Sequence, residues 1–329
     1  MVQPESEITL DSFLKFSMTF LQILQLEFEQ KKSNSFAQSV KLFLKINFVR
    51  FWLLVIFTAN AMVVAHAYLV TSSFTEASGS ISNAASIALV AVKASITFWN
   101  RDKIWDMLQE LQKLFQCRSI NKSDYNVGEY FASYSRITNT FLITSVFMIL
   151  LIPLPILTYL YNGTMYFTVD YWFPFDPYQP LGFKLANLWI ILVALISITS
   201  LLGCDSLLYA LFTVLIIQFD FLKTDFMKLK NMPENKMLIE LGPLIDRHNI
   251  LFDLKDKLQS IYQFAFLFSF VISSLIMCFV AFNLLIAEDV IAAYSFYIPY
   301  LALMGGPILL LCVFGQHLSE TARLESNKC

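Results

Sequence analysis

Six long apolar stretches, separated by segments that carry most of the charges, dominate the sequence. Each is at least 20 residues long, which lets a helix cross the roughly 30 Å hydrocarbon core of a bilayer. Continuous apolar runs favour helices over a transmembrane β-barrel, because barrel strands alternate apolar and polar residues. The pattern therefore predicts an all-α, polytopic helical membrane protein, with spans at 48–70, 80–99, 137–161, 185–219, 261–287 and 290–316.

The composition excludes a water-soluble globule. Hydrophobic residues make up 57% of the 329 residues and charged residues 15%, against about 25% charged in an ordinary soluble domain. A soluble fold of this length could not cover so much apolar surface with polar groups. The net charge of −2 and the lack of a block of like charge also argue against nucleic acid as a partner.

The basic residues predict how the chain is oriented in the lipid bilayer. With these spans, 22 of the 23 Lys and Arg side chains lie on one side of the membrane, and Lys184 is the exception. The positive-inside rule makes that side cytoplasmic, so we expect the N-terminus and the end of the sixth span inside. Lys93 lies near one end of the second span, where we expect its long side chain to extend to the interface.

The fourth apolar stretch is too long for one crossing. Residues 185–222 would form a helix of about 57 Å, so its second half is expected in the cytoplasm, buried against protein. Segment 240–260 repeats apolar residues at helical spacing and runs into the fifth span. Together they predict a cytoplasmic helical anchor extension, whose apolar surface suggests assembly with other subunits. Pro153 and Pro155 predict a bend in the outer end of the third span.

The predicted organisation has five parts. They are a cytoplasmic or interfacial N-terminal helix (1–47), spans one to four with an outer ligand region (48–219), cytoplasmic anchor helices (220–260), spans five and six (261–316) and a cytoplasmic tail (317–329). Within the first part, segment 8–30 looks helical, and it either lies in or dips into the membrane or packs on the helix bundle.

The sequence shows no pattern typical of a catalytic or metal site. The three histidines, His66, His248 and His317, are far apart, and neither H-x-x-x-H nor C-x-x-C occurs. No phosphate-binding glycine motif or nucleophile elbow is present. We therefore predict no catalytic residues, no metal, no cofactor and no enzyme activity. The five cysteines fall in spans or on the cytoplasmic side, which predicts no disulfide.

Two single residues stand out for other reasons. Asp205 is the one acid inside a long apolar run, and an acid within the membrane is a functional candidate by default. We favour a structural role for it, as a hydrogen-bonding group at the inner interface. Asn162-Gly163-Thr164 is an N-glycosylation acceptor on the predicted outer side.

Aromatic residues concentrate in the outer halves of the spans. Apolar walls with a few hydroxyls suit small, volatile, weakly polar ligands, although Trp and Tyr also form belts at the headgroup level. Tyr294 and Tyr297 are three residues apart and so share a helix face. The predicted ligand-binding residues are Tyr294, Tyr297, Trp189 and Tyr159.

Four segments have a distinctive sequence: the outer loop WFPFDPY (172–178), the helix CDSLLYALFTVLIIQFDFLK (204–223), the Arg-His segment LIDRHNILFDLKDKL (244–258) and FGQHLSETARLES (314–326). Together they resemble segments of the insect odorant receptor family. The resemblance covers nearly the whole chain in order, and the predicted N-inside topology agrees with it.

The resemblance implies an odorant receptor tuning subunit in the plasma membrane of a sensory neuron. Such a subunit assembles with an odorant co-receptor as a hetero-oligomer, a tetramer, and gates a non-selective cation channel. Asp205 and His248 would be structural or anchor positions. The family has seven spans, and this chain stops at Cys329, where the connection to the seventh is expected. We therefore expect either a truncated product or a variant without its own pore helix.

Other hypotheses remain open from the sequence. Within the superfamily, these are a gustatory receptor or a non-conducting truncated receptor. A G-protein-coupled receptor is more remote, because it would place the N-terminus outside. A carrier is equally remote, because no matched halves with broken helices are visible, and a membrane enzyme remains a further remote alternative.

Overall fold

The fold is known from a computed structural model that describes residues 10–23, 36–71, 74–116, 127–167, 169–229, 233–286 and 290–326. Within these ranges the secondary structure is helical, without strands. The described helices are α1 (Leu10–Ile23), α2 (Phe36–Leu69), α3 (Phe74–Trp99), α4 (Arg101–Gln116), α5 (Val127–Leu151), α6 (Leu154–Asn162), α7 (Pro180–Leu229), α8 (Glu234–Ile286) and α9 (Val290–Ser326). The predicted all-α fold is confirmed.

Six helical segments of the described part are long and apolar enough to cross a membrane, which confirms the six predicted spans. They are Asn47–Leu69, Ala77–Trp99, Val127–Asn162, Pro180–Leu229, Lys236–Ile286 and Tyr297–Glu320. The bundle they form has two ends. We call the end with loop 163–179 the loop end, and the end where α7 and α8 continue past the length of a span the extension end.

The third span is broken near the loop end, as its prolines predict. α5 ends at Leu151 and α6 begins at Leu154, with Pro153 between them. Proline cannot donate the helical hydrogen bond of its own nitrogen, so the chain turns there. α6 then ends at Gly163, which has a φ of 76°, a left-handed conformation that glycine adopts without steric cost.

The two longest helices form the extension end. α7 has 50 residues and α8 has 53, so each is about 75–80 Å long at 1.5 Å per residue. Residues 201–219 of α7 are buried on every side, which matches a helix that is apolar all round. The fourth and fifth spans therefore continue as single helices past the length of one crossing, and the cytoplasmic anchor that they were expected to form stays a prediction.

Helix α1 packs directly on α7. Its residues Phe13 and Leu21 are buried, and the Phe13 ring meets Phe131 of α5 edge-on at 5.2 Å. A Cβ atom at Gly203 of α7 would lie only 3.0 Å from a methyl group of Leu21. Glycine at this position lets the two helices approach closely, so α1 belongs to the core of the bundle.

The buried apolar residues form two clusters. The loop-end core contains side chains of α2, α3, α7, α8 and α9, including Val90 and Leu201. The extension-end core contains side chains of α1 and α4 and of the parts of α5, α7 and α8 that lie at the extension end, including Leu207 and Leu254. On α7 the first core ends at Leu202 and the second begins at Cys204.

Lys93 does not extend to the interface, and that expectation was wrong. Its side chain is 8% exposed, and its Nζ atom donates to both carboxylate oxygens of Asp205 at 2.7 and 3.0 Å. The reason is that α3 continues to Trp99, so Lys93 lies well inside the helix. A buried charge is stabilised by an opposite charge within reach, and Asp205 supplies it at the junction of the two cores.

Candidate ligand-binding site

A cavity of about 140 Å³ lies inside the loop-end half of the bundle. α3, α7 and α9 form its walls, and Ile152 between α5 and α6 together with Val169 and Tyr171 of the loop completes its lining. Its apolar lining consists of Ile87, Val90, Ile152, Val169, Ile190, Val193, Ala194, Ile198, Leu201, Leu303 and Met304, and its polar lining of Asn83, Ser86, Tyr171, Ser197 and Tyr300. Mostly apolar walls with a few placed polar groups are typical of small-molecule sites.

The polar groups of the cavity centre on Tyr300. Its buried hydroxyl forms a hydrogen bond with the Ser86 hydroxyl, and it lies 3.4 Å from the carbonyl oxygen of Ser82. On the α7 wall, the buried Ser197 hydroxyl has no hydrogen-bond partner within the described part of the chain. The cavity can therefore offer hydroxyl contacts on two walls to a weakly polar molecule.

Loop 163–179 folds back over the loop end and is held at several points. The Trp172 backbone N–H donates to the Met62 carbonyl oxygen at 3.1 Å, which ties the loop to α2. A Cβ atom at Gly182 would lie 2.2 Å from the Asp176 carbonyl oxygen, so only glycine permits this approach to α7. Tyr171 is buried in the cavity wall, and burial raises the pKa of its hydroxyl, which keeps that group protonated as a donor.

Comparison with known proteins assigns the family. The family model described as "7tm Odorant receptor" matches residues 73–324. The chain belongs to the odorant receptor family. This family assignment favours the odorant receptor hypothesis over the gustatory receptor, G-protein-coupled receptor and carrier hypotheses.

Two curated odorant receptors of Drosophila melanogaster are distant relatives of this odorant receptor chain. It is 24% identical to putative odorant receptor 92a over 240 residues, which covers 68% of this chain and 58% of that protein. It is 24% identical to odorant receptor 85b over 264 residues, which covers 72% of this chain and 64% of the relative. The chain thus spans less than two thirds of the length of either relative.

Solved structures show the odorant receptor fold. The insect olfactory receptor OR5 from Machilis hrabei in complex with eugenol superposes with a TM-score of 0.78, at 16% identity, over 97% of this chain and 90% of that one. A second structure of that receptor gives a TM-score of 0.70, at 18% identity, over 94% and 82%. At these identities the likeness concerns the fold.

Three of the predicted ligand residues, Tyr159, Trp189 and Tyr297, lie outside the lining of the cavity. Tyr159 of α6 contacts the Phe183 ring at 5.0 Å. Trp189 and Tyr297 pack against the loop-end core, and the side chain of Tyr294 is outside the described part of the structure. Their role in ligand binding therefore stays a prediction.

Sequence reasoning missed the residues that line the cavity. Tyr300 continues the three-residue spacing of Tyr294 and Tyr297 along α9, so the signal that singled out the first two could have been extended by one turn. Ser86 carried no comparable signal, because serine is common throughout α3 and only the fold brings it to Tyr300.

Two segments that carried the family resemblance meet at the extension end. Arg247 of α8 donates to the Gln218 side-chain oxygen of α7 at 2.7 Å and lies 3.5 Å from the Asp225 carboxylate. The neighbouring His248 ring lies 4.5 Å from the Phe252 ring, which in turn meets Phe219 edge-on. These contacts hold α7 and α8 together where both leave the apolar span.

The glycosylation candidate lies at the loop end. Asn162 is exposed, and its side-chain oxygen accepts hydrogen bonds from the backbone N–H and the hydroxyl of Thr164. Modification at this position stays a prediction. In the described residues, no group of three or more His, Cys, Asp or Glu side chains could hold a metal ion, and Cys204, Cys278 and Cys312 are free thiols.

Proposed function

We propose that this protein is an odorant receptor tuning subunit that binds small, volatile, weakly polar ligands in the loop-end cavity. The observation that carries the proposal is the cavity itself, a mostly apolar space with hydroxyl groups on two walls. Its volume of about 140 Å³ is close to that of a protein cavity that accepts benzene, about 150 Å³. The olfactory receptor OR5, which shares the fold, was solved in complex with eugenol, and a ligand of comparable size suits this cavity.

We infer that the extension end faces the cytoplasm and the loop end faces outside, in the plasma membrane. The distribution of basic residues supports this orientation, since 21 of 23 are expected on the extension side, Lys184 lies on the other side and Lys93 is buried within the bundle. The exposed Asn162 acceptor at the loop end agrees with it. In this orientation, volatile molecules reach the cavity from outside the cell.

We further propose that the chain gates a non-selective cation channel together with an odorant co-receptor, as a hetero-tetramer. The support is the extension end, where a groove of about 1010 Å³ opens between α7, α8 and α9. Phe212, Phe226 and Phe252 contribute to its walls. A single chain in water would leave this apolar surface exposed, and such surfaces are typical of protein interfaces.

The test is co-expression with a co-receptor in cells that lack other odorant receptors. We expect a broad panel of volatiles to contain ligands that evoke a cation current, and the current to be absent when either subunit is omitted. If no volatile evokes current or binds the purified complex while both subunits are at the surface, the proposed function is wrong. Reporter glycosylation sites in the N-terminal segment test the orientation, and their modification would contradict it.

A further inference from the structure

A second, much smaller cavity lies next to the loop-end cavity. Its volume is about 10 Å³, near the minimum for one water molecule. Asp205 lies in its wall, together with residues of α1, α5, α7 and α9, and we call it the Asp205 chamber. The chamber is therefore set at the junction of the two cores, beside the buried ion pair.

Two leucines separate the chamber from the loop-end cavity. Leu201 of α7 and Leu303 of α9 line both spaces. Both are buried, and neither carries a polar atom in its side chain. They form an apolar partition, so the position of two side chains decides whether the two spaces are separate or continuous.

The polar groups in the chamber wall all present acceptors. The Thr138 hydroxyl donates to the Tyr134 carbonyl oxygen, and the Ser206 hydroxyl to that of Leu202. The Tyr209 hydroxyl donates to the Pro307 carbonyl oxygen at 3.3 Å. Because each proton is already committed, these oxygens can only accept a further hydrogen bond.

The Asp205 carboxylate adds to this acceptor character. It accepts two hydrogen bonds from Lys93, and a carboxylate has about four acceptor positions on its two oxygens. A hydrogen bond to a charged acceptor is stronger than one between neutral groups. The chamber is thus matched to a group that donates a hydrogen bond and mismatched to one that only accepts.

We propose that the Asp205 chamber is a polar subsite for ligands that carry a hydrogen-bond donor, an alcohol or a phenol, and that Leu201 and Leu303 control access to it. This inference rests on the proposed function, because it extends the loop-end cavity as a ligand site. The apolar body of the ligand fills the cavity, and its hydroxyl group enters the chamber. Esters, ketones and ethers of the same size gain nothing from the chamber, because they have no proton to donate.

The experiment widens the partition and compares two series of probes. The variants are Leu201→Ala and Leu303→Ala, and the probes are straight-chain 1-alkanols and ethers with the same number of heavy atoms. We expect each variant to gain at least about tenfold in sensitivity to alkanols relative to the matched ethers, the ratio expected of one hydrogen bond to a charged group. The gain in sensitivity should be largest for alkanols longer than those that the wild type prefers, because each variant joins the loop-end cavity to the Asp205 chamber.

The matched control is Ile190→Ala. Ile190 is buried and lines the loop-end cavity, but it does not line the chamber. This variant removes as many atoms as Leu303→Ala, so it should change the responses to an alkanol and its ether alike. If Ile190→Ala and Leu303→Ala shift the alkanol-to-ether ratio equally, the partition has no special role and the inference is wrong.

A third variant tests the role of the carboxylate. Replacing the ion pair by Lys93→Met with Asp205→Leu in the Leu303→Ala background should abolish the alkanol preference. Retention of the preference would contradict the inference. Leu303→Val is the milder change to use if the alanine variants unfold on heating well below the wild type.

The proposed function and this inference can fail separately. A wild-type receptor that responds to no volatile contradicts the proposed function. Thermal unfolding of the purified receptor with and without 1-alkanol still tests the chamber in that case, because ligand binding raises the unfolding temperature. A wild type that responds to volatiles, together with partition variants that show no alkanol preference, contradicts only the inference.

Discussion

The Nζ atom of Lys93 lies 2.7 Å from the Oδ1 atom of Asp205, and both side chains are more than nine-tenths buried. The pair joins α3 to α7 between the loop-end core and the extension-end core. Its position makes each charge dependent on the other, since a lone charge in this environment has no water to solvate it.

Removing one partner of this pair should therefore be worse than removing both. We expect Lys93→Met or Asp205→Leu alone to lower the free energy of unfolding by about 3–5 kcal/mol, whereas the double variant should recover most of that loss. Thermal unfolding of the purified wild type, the two single variants and the double variant measures these differences in stability. The Lys257–Glu110 pair at 2.9 Å is the control, because it is exposed, and the equivalent change there should cost about 1 kcal/mol or less. Additive losses at Lys93 and Asp205 would contradict the pairing.

Tyr300→Phe removes the hydroxyl that bonds to Ser86 in the cavity. We expect a shift of roughly fivefold in sensitivity to oxygen-containing ligands, the equivalent of about 1 kcal/mol for one neutral hydrogen bond. Responses to pure hydrocarbons should change less. Dose-response curves at equal surface expression measure both. Tyr161→Phe makes the same chemical change at a side chain that is 92% exposed and should leave the curves unchanged; an equal shift in both variants would remove Tyr300 from the site.

Gly182→Ala should displace the loop that lines the cavity. The new Cβ atom would lie 2.2 Å from the Asp176 backbone oxygen, and backbone cannot move aside as a flexible side chain can, so we expect a loss of about 1–3 kcal/mol in stability. Ligand sensitivity should fall as well. Gly242→Ala has nothing within 4 Å and lies in a helix, so it should stabilise slightly. If the melting temperatures of Gly182→Ala and Gly242→Ala shift in the same direction, the close approach of Gly182 to Asp176 is contradicted.

Arg247→Lys should loosen the joint between α7 and α8. A lysine ammonium cannot reach the Gln218 oxygen and the Asp225 carboxylate with the planar geometry of arginine, so we expect a loss of about 1–3 kcal/mol. Assembly with the co-receptor, measured by co-purification, should weaken in parallel. The control is Arg136→Lys on the exposed face of α5, which should stay within about 0.5 kcal/mol of the wild type. A wild-type melting temperature for Arg247→Lys would contradict this role.

The elements of the fold could be predicted because they depend on local composition. The six spans follow from the length of the apolar runs, and the break at Pro153 follows from the chemistry of one residue. The continuation of α7 beyond the span follows from its apolar residues, which are too many for one crossing.

The contacts that build the site could not be predicted in the same way. Lys93 and Asp205 are 112 positions apart, and Ser86 and Tyr300 are 214 apart. Periodicity places each of these residues on a helix face, but the packing of the helices decides which faces meet. The pairing of Lys93 with Asp205 could have been predicted, since two isolated opposite charges in apolar runs are candidates to pair.

The unbroken course of α7 has a mechanical consequence. Ile190 at the cavity and Gln218 at the extension end lie on the same helix, about 42 Å apart. A stiff rod of this length acts as a lever, so a tilt of only about 2° at one end moves the other by roughly 1.5 Å, which is within the range of helix shifts that switch proteins. The helix break at Pro153 lies on the facing wall, where Ile152 lines the cavity, and it makes that wall easier to deform. Expansion of the cavity can therefore be absorbed locally on one side and transmitted over a distance on the other.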